Sequence, residues 1–180
     1  MKNGKNTWNE FVKPIVVLVA ICLVSSALLA VTNSVTAPII QASAEAEANA
    51  TRQALLPEAD SFTQVEGVQV EGVTDVYRAD NGAGYVISAA ARGYGGDVPV
   101  MVAFDDTGAI AAVQFLENDE TAGMGQKVRE DSFQAQFAGR AAEPLALSDI
   151  DAITGATISS NAAVEGINSA IEAYNQVKEG

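Results

Sequence analysis

Residues 151–160, with the sequence Asp-Ala-Ile-Thr-Gly-Ala-Thr-Ile-Ser-Ser, mark the start of the last helix predicted from the sequence. Two threonines and two serines surround Gly155, and a hydroxyl just before an amphipathic segment is the usual N-cap signal. The free N–H groups and the positive dipole end at the start of a helix suit an anion. A hydroxyl there is well placed to carry a phosphate, either bound or esterified. The same stretch also fits a polar turn that only caps a helix.

Two helices are predicted in this C-terminal part of the chain. The last one covers 160–177, and its apolar residues recur at helical spacing on one face. That stripe consists of Val164, Ile167, Ile171 and Tyr174. The other helix is predicted over about 126–137. Its inward-facing residues would be Val128, Phe133 and Phe137.

Four strands are predicted before these helices, because apolar and polar residues alternate there with a period of two. The strands cover 73–78, 84–91, 98–104 and 109–116. Asn81-Gly82 is a type I′ turn signal between the first two. Short connections favour an antiparallel meander. Strands followed by helices predict a small α+β domain, an antiparallel sheet flanked by helices.

Near the N-terminus, residues 14–32 contain no charged side chain. Nineteen residues of helix span about 28 Å, which is close to the thickness of the hydrocarbon core of a bilayer. The segment is therefore predicted to be a retained transmembrane helix. A cleaved signal peptide is the alternative, with cleavage after Ala30 or near 42–44.

The charges on the two sides of this span predict its orientation. Lys2, Lys5 and Lys13 precede it, against the single acid Glu10, and no Lys or Arg follows until Arg52. The positive-inside rule then places the N-terminus in the cytoplasm and the rest of the chain outside the inner membrane.

Four segments follow from these patterns. They are a cytoplasmic tail (1–13), the transmembrane helix (14–32), a helical stalk that Pro57 ends (33–58) and the α+β domain (59–180).

Composition excludes several classes of partner and cofactor. The part from Asn33 onward carries seven Lys and Arg against 22 Asp and Glu, a net charge of −15, which disfavours nucleic acid and anionic headgroups. The chain has one cysteine, Cys22 within the span, and no histidine. Disulfides within the chain and Cys- or His-ligated zinc, iron–sulfur and haem sites are therefore excluded. Any redox chemistry would need an organic cofactor.

Two glycine-rich loops could bring the backbone close to a flat ligand. The first covers 92–97 and contains Gly93, Gly95 and Gly96. The second covers 118–127 and places an acid, a hydroxyl, two glycines, a methionine and a lysine ahead of a helix.

Together with 151–157, these loops resemble the FMN-binding domain family in order and spacing. Residues 93–96 match its Gly-Tyr-Gly-Gly loop, and 120–125 resemble its Glu-Thr-Pro-Gly-Leu-Gly, with Ala122 and Met124 as the replacements. Asp151-x-x-Thr154-Gly155-Ala156-Thr157 is similar to its flavinylation sequence. The resemblance extends to 36–39 and 55–57, and thus to nearly the whole chain.

The resemblance implies a role for each matching residue. Thr157 would carry FMN through a phosphoester bond, formed by a separate flavin transferase that uses FAD. Asp151, Gly155 and Ala156 would be recognised by that transferase, or would serve only as turn and cap. Gly155 and Ala156 are also implied cofactor contacts. The others are Thr154, Glu120, Thr121, Met124, Gly125, Lys127, Gly95 and Gly96. Lys127 fits a solvated surface lysine equally well.

The same resemblance implies a function. The family includes the G subunit of the Rnf complex, which couples electron transfer between ferredoxin and NAD to ion translocation, and the C subunit of the sodium-translocating quinone reductase. The short chain favours the Rnf-type subunit, which would relay electrons among membrane subunits and have no complete activity alone. A stand-alone extracytoplasmic flavoprotein and a non-redox binding module are the alternatives.

Overall fold

The computed structural model describes residues 12–179, so the predicted contribution of Lys2, Lys5 and Glu10 to orientation lies outside the described residues. The chain divides into two compact units, Met1–Ala48 and Asn49–Gly180. The helices are α1 (Lys13–Leu55), α2 (Asp131–Gln134), α3 (Thr157–Glu179) and two 3₁₀ helices (Gly125–Arg129 and Leu147–Asp149). The strands are β1 (Phe62–Gln64), β2 (Val73–Ala79), β3 (Gly84–Arg92), β4 (Asp97–Asp105) and β5 (Ile110–Phe115).

Helix α1 is long and apolar enough to cross a membrane. Its apolar side chains between 15 and 40 are exposed, as expected of a segment whose natural surroundings are not water. The predicted span and most of the predicted stalk lie in this one helix. It ends at Leu55, before Pro57, because a proline disfavours helical backbone in the residue that precedes it. The boundaries 14–32, 33–58 and 59–180 stay predictions.

The second unit contains a five-stranded sheet in the order β1-β2-β3-β4-β5, with every neighbouring pair antiparallel. The predicted α+β class and the antiparallel meander are therefore confirmed. All four predicted strands are present, and none of their ends is shifted by more than one residue. Strand β1 was not predicted. It has only three residues, none of them fully buried, so backbone pairing with β2 forms it without an apolar alternation.

Helix α3 packs on the sheet through the predicted stripe. Val164, Ile167, Ile171 and Tyr174 are all buried, and the Tyr174 ring stacks on Phe104 of β4 with centroids 4.5 Å apart. Four alanines on the same helix are also buried, and their short side chains let the helix lie close to the strands. They are Ala162, Ala163, Ala170 and Ala173.

Three local predictions were wrong in detail. The first concerns 126–137, which is not one helix. It is a 3₁₀ helix followed by α2, because Glu130 between them is extended (φ −70°, ψ 137°). The Gln134 side chain compensates by donating to the Arg129 carbonyl at 2.8 Å and accepting from the Phe115 N–H at 2.9 Å. The predicted inward face is nevertheless correct, since Val128, Phe133 and Phe137 are buried.

The second concerns the turn between β2 and β3, which is not type I′. That turn needs positive φ at both central residues. Only Gly82 has it here (φ 79°), whereas no residue other than glycine has a positive φ in the described chain. The Asn81 side chain instead donates to the Glu58 carbonyl at 2.6 Å and accepts from the Ala83 N–H at 3.2 Å.

The third concerns the start of α3, which lies at Thr157 and not at 160. The residue before it is Ala156, which has no capping hydroxyl. Ser160, in the first turn, instead donates to the Ala156 carbonyl at 3.1 Å and accepts from the Ile153 N–H at 3.0 Å. Its hydroxyl thereby ties the preceding turn to the helix.

Candidate functional site

Three loops and the first turn of α3 enclose a pocket of about 540 Å³. Its lining residues are Tyr94, Glu120, Thr121, Met124, Gly125, Gly155, Ala156, Thr157, Ile158 and Ser159. They come from the two glycine-rich loops and from the stretch at 151–160, which are far apart in sequence. The connection between β3 and β4 and the end of β5 lie at the same end of the sheet. The start of α3 completes the pocket there.

Seven of the residues predicted as cofactor contacts line this pocket. They are Glu120, Thr121, Met124, Gly125, Gly155, Ala156 and Thr157. The other predicted site residues line two different depressions. Gly95 and Gly96 lie with Asp119 in one of them. Asp151, Thr154 and Lys127 lie together in the other.

Three lining residues were missed from the sequence: Tyr94, Ile158 and Ser159. Tyr94 stands between glycines in the first loop, and an aromatic residue in such a loop is a usable signal. Ile158 is an apolar residue within a polar cluster and falls off the buried stripe of α3, which is a second signal. Ser159 carries none, because its partner Glu120 lies 39 positions earlier.

The pocket has an exposed apolar lining. Among the described residues after helix α1, the large apolar side chains that are exposed are Tyr94 (70%), Ile158 (54%) and Met124 (43%). All three line this pocket. Exposed apolar side chains gathered in one place, and not scattered, are typical of a binding site.

Glu120 joins the three parts of the pocket. Its side chain is 3% exposed. One carboxylate oxygen accepts the Gly95 N–H at 2.9 Å, and the other accepts the Ser159 hydroxyl at 2.5 Å. One buried side chain thus holds the first loop and helix α3 to the second loop.

Hydrogen bonding keeps this carboxylate ionised. Burial acts to raise the pKa of Glu120, but hydrogen bonds from the Ser159 hydroxyl and from three backbone N–H groups outweigh it, so the pKa lies below its ordinary value. Those N–H groups belong to Gly95, Tyr94 and Gly96.

The glycines around Glu120 are required by close packing. A Cβ built on Gly125 would lie 2.3 Å from a Glu120 oxygen and 2.6 Å from the Ser159 hydroxyl oxygen. A Cβ on Gly93 would lie 2.3 Å from the other Glu120 oxygen. Glycine at these positions lets the loops close on the carboxylate.

Thr157 and Thr154 occupy different surroundings although they are three residues apart. Gly155 has a φ of 82° and turns the chain between them, and the Ala156 N–H closes the turn on the Ile153 carbonyl at 3.0 Å. Thr157 is exposed, lines the pocket and begins α3. Thr154 instead lines a different depression, which Lys127 also lines.

Acid is expected to destabilise the domain through Glu120. The folded pKa lies below the ordinary value of 4.5, so the unfolded chain binds the proton first as the pH falls. The contribution of ionised Glu120 to the stability of the fold is therefore complete above about pH 5, and it is lost as the pH falls through the folded pKa of Glu120. The melting temperature measured at successive pH values from about 6 to 3 should fall, and it should fall less for Glu120→Gln.

The Glu120→Gln variant should keep part of the acid dependence. The Thr107 hydroxyl, together with backbone N–H groups, also lowers the pKa of Asp105, which the substitution leaves unchanged. Equal acid dependence of the variant and the wild type would contradict the role given to Glu120.

Comparison with known proteins agrees with this geometry. Residues 93–172 match the FMN-binding domain family, and this range contains every residue of the pocket.

Three relatives are G subunits of redox complexes that translocate ions. The chain is 31% identical over 161 residues to the G subunit of the proton-translocating ferredoxin:NAD(+) oxidoreductase complex of Clostridium ljungdahlii, covering 84% of each chain. It is 32% identical to the G subunit of the ion-translocating oxidoreductase complex of Methanosarcina acetivorans, over 95% of this chain and 97% of the relative. It is 30% identical to the G subunit of the Na(+)-translocating ferredoxin:NAD(+) oxidoreductase complex of Acetobacterium woodii, over 94% of each chain.

Proposed function

The chain belongs to the family of ion-translocating oxidoreductase complex G subunits with an FMN-binding domain, and from this premise we propose that it is a membrane-anchored electron carrier. FMN occupies the pocket described above and is attached to Thr157. The chain relays electrons between other subunits of a ferredoxin:NAD oxidoreductase complex and has no complete activity alone.

One observation carries the proposal. Thr157, an exposed residue, lines the same pocket as the exposed apolar side chains of Tyr94, Met124 and Ile158. An attachment point for a phosphate thus lies beside apolar surface for a ring. A volume of about 540 Å³ is within the range of cofactor sites.

The lining suits the isoalloxazine ring. The aromatic ring of Tyr94 and the thioether of Met124 offer polarisable apolar surface to a flat ligand. A Cβ on Gly155 would lie 3.1 Å from the Met124 methyl carbon, so glycine leaves this side of the pocket open. Thr121 supplies a hydroxyl for the polar edge of the ring. When bound, FMN supplies the redox chemistry that this chain has no residues to perform.

Thr157 is the acceptor in the attachment reaction. Its Oγ forms a bond to the FMN phosphorus of FAD, the pyrophosphate bond breaks, AMP leaves, and the hydroxyl proton passes to the transferase. The esterified phosphate keeps one negative charge, which the start of α3 favours. Because Thr157 is exposed, a separate enzyme can reach it.

The depression that contains Lys127, Thr154 and Asp151 is assigned to recognition by the transferase. Gln136 holds Asp151 in place there, accepting its N–H at 2.6 Å and donating to its carbonyl at 3.4 Å. The exposed carboxylate of Asp151 is thereby presented beside the acceptor turn.

Helix α1 anchors the carrier in the membrane. The N-terminus is cytoplasmic, in line with the lysines that precede the apolar segment, and the domain is extracytoplasmic. A covalent bond prevents the loss of the cofactor by dilution on that side. The relatives described above are named as complex G subunits, which favours this role over a quinone reductase subunit.

Purification of the full chain from native membranes tests the assignment to a complex. In mild detergent, a tagged chain is expected to co-purify with several polytopic membrane proteins. The flavin of the mixture should be reduced by ferredoxin or NADH only while those proteins are present. A chain that purifies alone and still exchanges electrons with a soluble acceptor would support a stand-alone flavoprotein instead.

A further inference from the structure

The pocket of Thr157 has an unfavourable charge for a phosphate. Among its lining residues, all of which are described, Glu120 is the one that is charged at neutral pH. Lys127 lies in the other depression, where Glu130 and Asp151 accompany it. From Asn33 onward the chain carries a net charge of −15, to which Glu120 contributes one negative charge.

The negative charge of Glu120 is fixed in place. The side chain is 3% exposed, and both carboxylate oxygens accept hydrogen bonds, from Gly95 and from Ser159. Ser159 lies two residues after Thr157 on the first turn of α3. Glu120 and Thr157 line the same pocket, so the carboxylate and a phosphate on Thr157 would share one cavity.

The start of α3 acts in the opposite direction with a smaller charge. A helix N-terminus is equivalent to about half a positive charge. Free FMN carries a phosphate monoester of nearly two negative charges, since its second pKa is about 6. Riboflavin has the same ring and no phosphate. The apolar lining favours the binding of both ligands equally, whereas the negative charge of Glu120 opposes the binding of FMN only.

We propose that this pocket selects the flavin ring and rejects the free phosphate. It binds riboflavin more tightly than free FMN, and Glu120 is the residue that sets this preference. FMN is then retained by the bond to Thr157 and not by affinity for its phosphate. This inference rests on the proposed flavin site, and it goes further by assigning the pocket's ligand selectivity to one side chain.

Titration of the unmodified full chain tests the preference. The chain is produced in a host without a flavin transferase, purified in mild detergent, and titrated separately with riboflavin and FMN while flavin fluorescence is followed. At low salt, riboflavin should bind about threefold to tenfold more tightly, as expected for a carboxylate and a phosphate that share a partly hydrated cavity. In about 0.5 M salt, the difference between the two affinities should narrow to about twofold or less. Salt screens the repulsion between the protein and the phosphate, so only the binding of FMN improves.

Two variants assign the effect to Glu120. Glu120→Gln should bring FMN binding towards that of riboflavin at low salt. Asp119→Asn removes the same charge from an exposed neighbour outside the pocket, so it should leave the ratio of the two affinities unchanged. If circular dichroism shows that Glu120→Gln does not fold, the salt series on the wild-type chain still tests the preference for riboflavin, and a ratio of affinities that salt leaves unchanged would overturn it.

Equal affinities at low salt, tighter binding of FMN, or no binding of either flavin would overturn the inference. So would a ratio that responds equally to both substitutions. Failure of the proposed function gives a different result, which is the absence of a flavin adduct on Thr157 when the transferase is present. Either result can occur without the other.

Discussion

Thr157→Val is expected to abolish covalent flavin loading. Valine keeps the branched shape of threonine at the first residue of α3 but has no hydroxyl to form the phosphoester. The side chain is exposed, so the substitution should change the free energy of unfolding by about 0.5 kcal/mol or less. The chain is co-expressed with a flavin transferase and run on a denaturing gel, where the wild-type band should fluoresce and the variant band should be dark.

Thr157→Ser is the matched variant for this experiment. Serine retains the hydroxyl at the same helix position, so some loading should survive. A fluorescent Thr157→Val band would show that another residue carries the flavin. Loss of fluorescence in both variants, with wild-type loading intact, would indicate that the side-chain shape, and not the hydroxyl alone, is needed.

Gly95→Ala is expected to have the largest effect on the stability of the pocket. A Cβ at this position would lie 2.1 Å from the Asp119 carbonyl oxygen and 3.2 Å from the Glu120 Cα. These are backbone atoms, so the loop itself has to move, and the Gly95 N–H then leaves the Glu120 carboxylate. Overpacking of this kind should cost about 3 kcal/mol, which corresponds to a fall of about 10 °C in the melting temperature of the domain. Flavin loading should fall with it.

Gly96→Ala is the control, one residue along the same loop. Its Cβ would meet the Asp119 Cβ at 3.5 Å, which is an ordinary contact. Thermal melts of the two variants, followed by circular dichroism in the same detergent, should therefore differ by several degrees. An equal fall in melting temperature for both variants would contradict the view that the first loop packs directly against the backbone of Asp119 and Glu120 at Gly95.

The sheet and the last helix could be predicted from the sequence because their signals are local. Residues such as Ile167 and Ile171 repeat at helical spacing, and the strands alternate with a period of two. Strand β1 could not be predicted, since backbone pairing with β2 holds it. Neither could the break at Glu130, where the Gln134 side chain compensates by accepting a hydrogen bond from Phe115 of β5.

In the candidate site, too, the local features could be predicted from the sequence and the long-range contacts could not. The acceptor stretch around Thr157 and the glycine-rich loops are visible as motifs. The place where these segments meet is not visible in the sequence, because it depends on contacts of Glu120 with Gly95 and Ser159, which are 25 and 39 residues away. Glu120 was predicted from the resemblance as a cofactor contact, and that role stays a prediction. In the fold its two oxygens already accept hydrogen bonds from the chain.

Lys127 and Thr154 illustrate the limit of motif spacing. Both lie within a few residues of pocket positions in the sequence, yet they line a separate depression. The turn at Gly155 and the 3₁₀ helix at Gly125–Arg129 direct them there. Spacing along the chain does not reveal which side of such a turn a side chain occupies.

The mass of the intact protein from native membranes, followed by peptide mapping, tests the central claim most directly. The mass should exceed that of the polypeptide by one FMN less one water, and the excess should lie on the peptide that contains Thr157. An unmodified polypeptide, or the same adduct on Thr154 or any other residue, would contradict it.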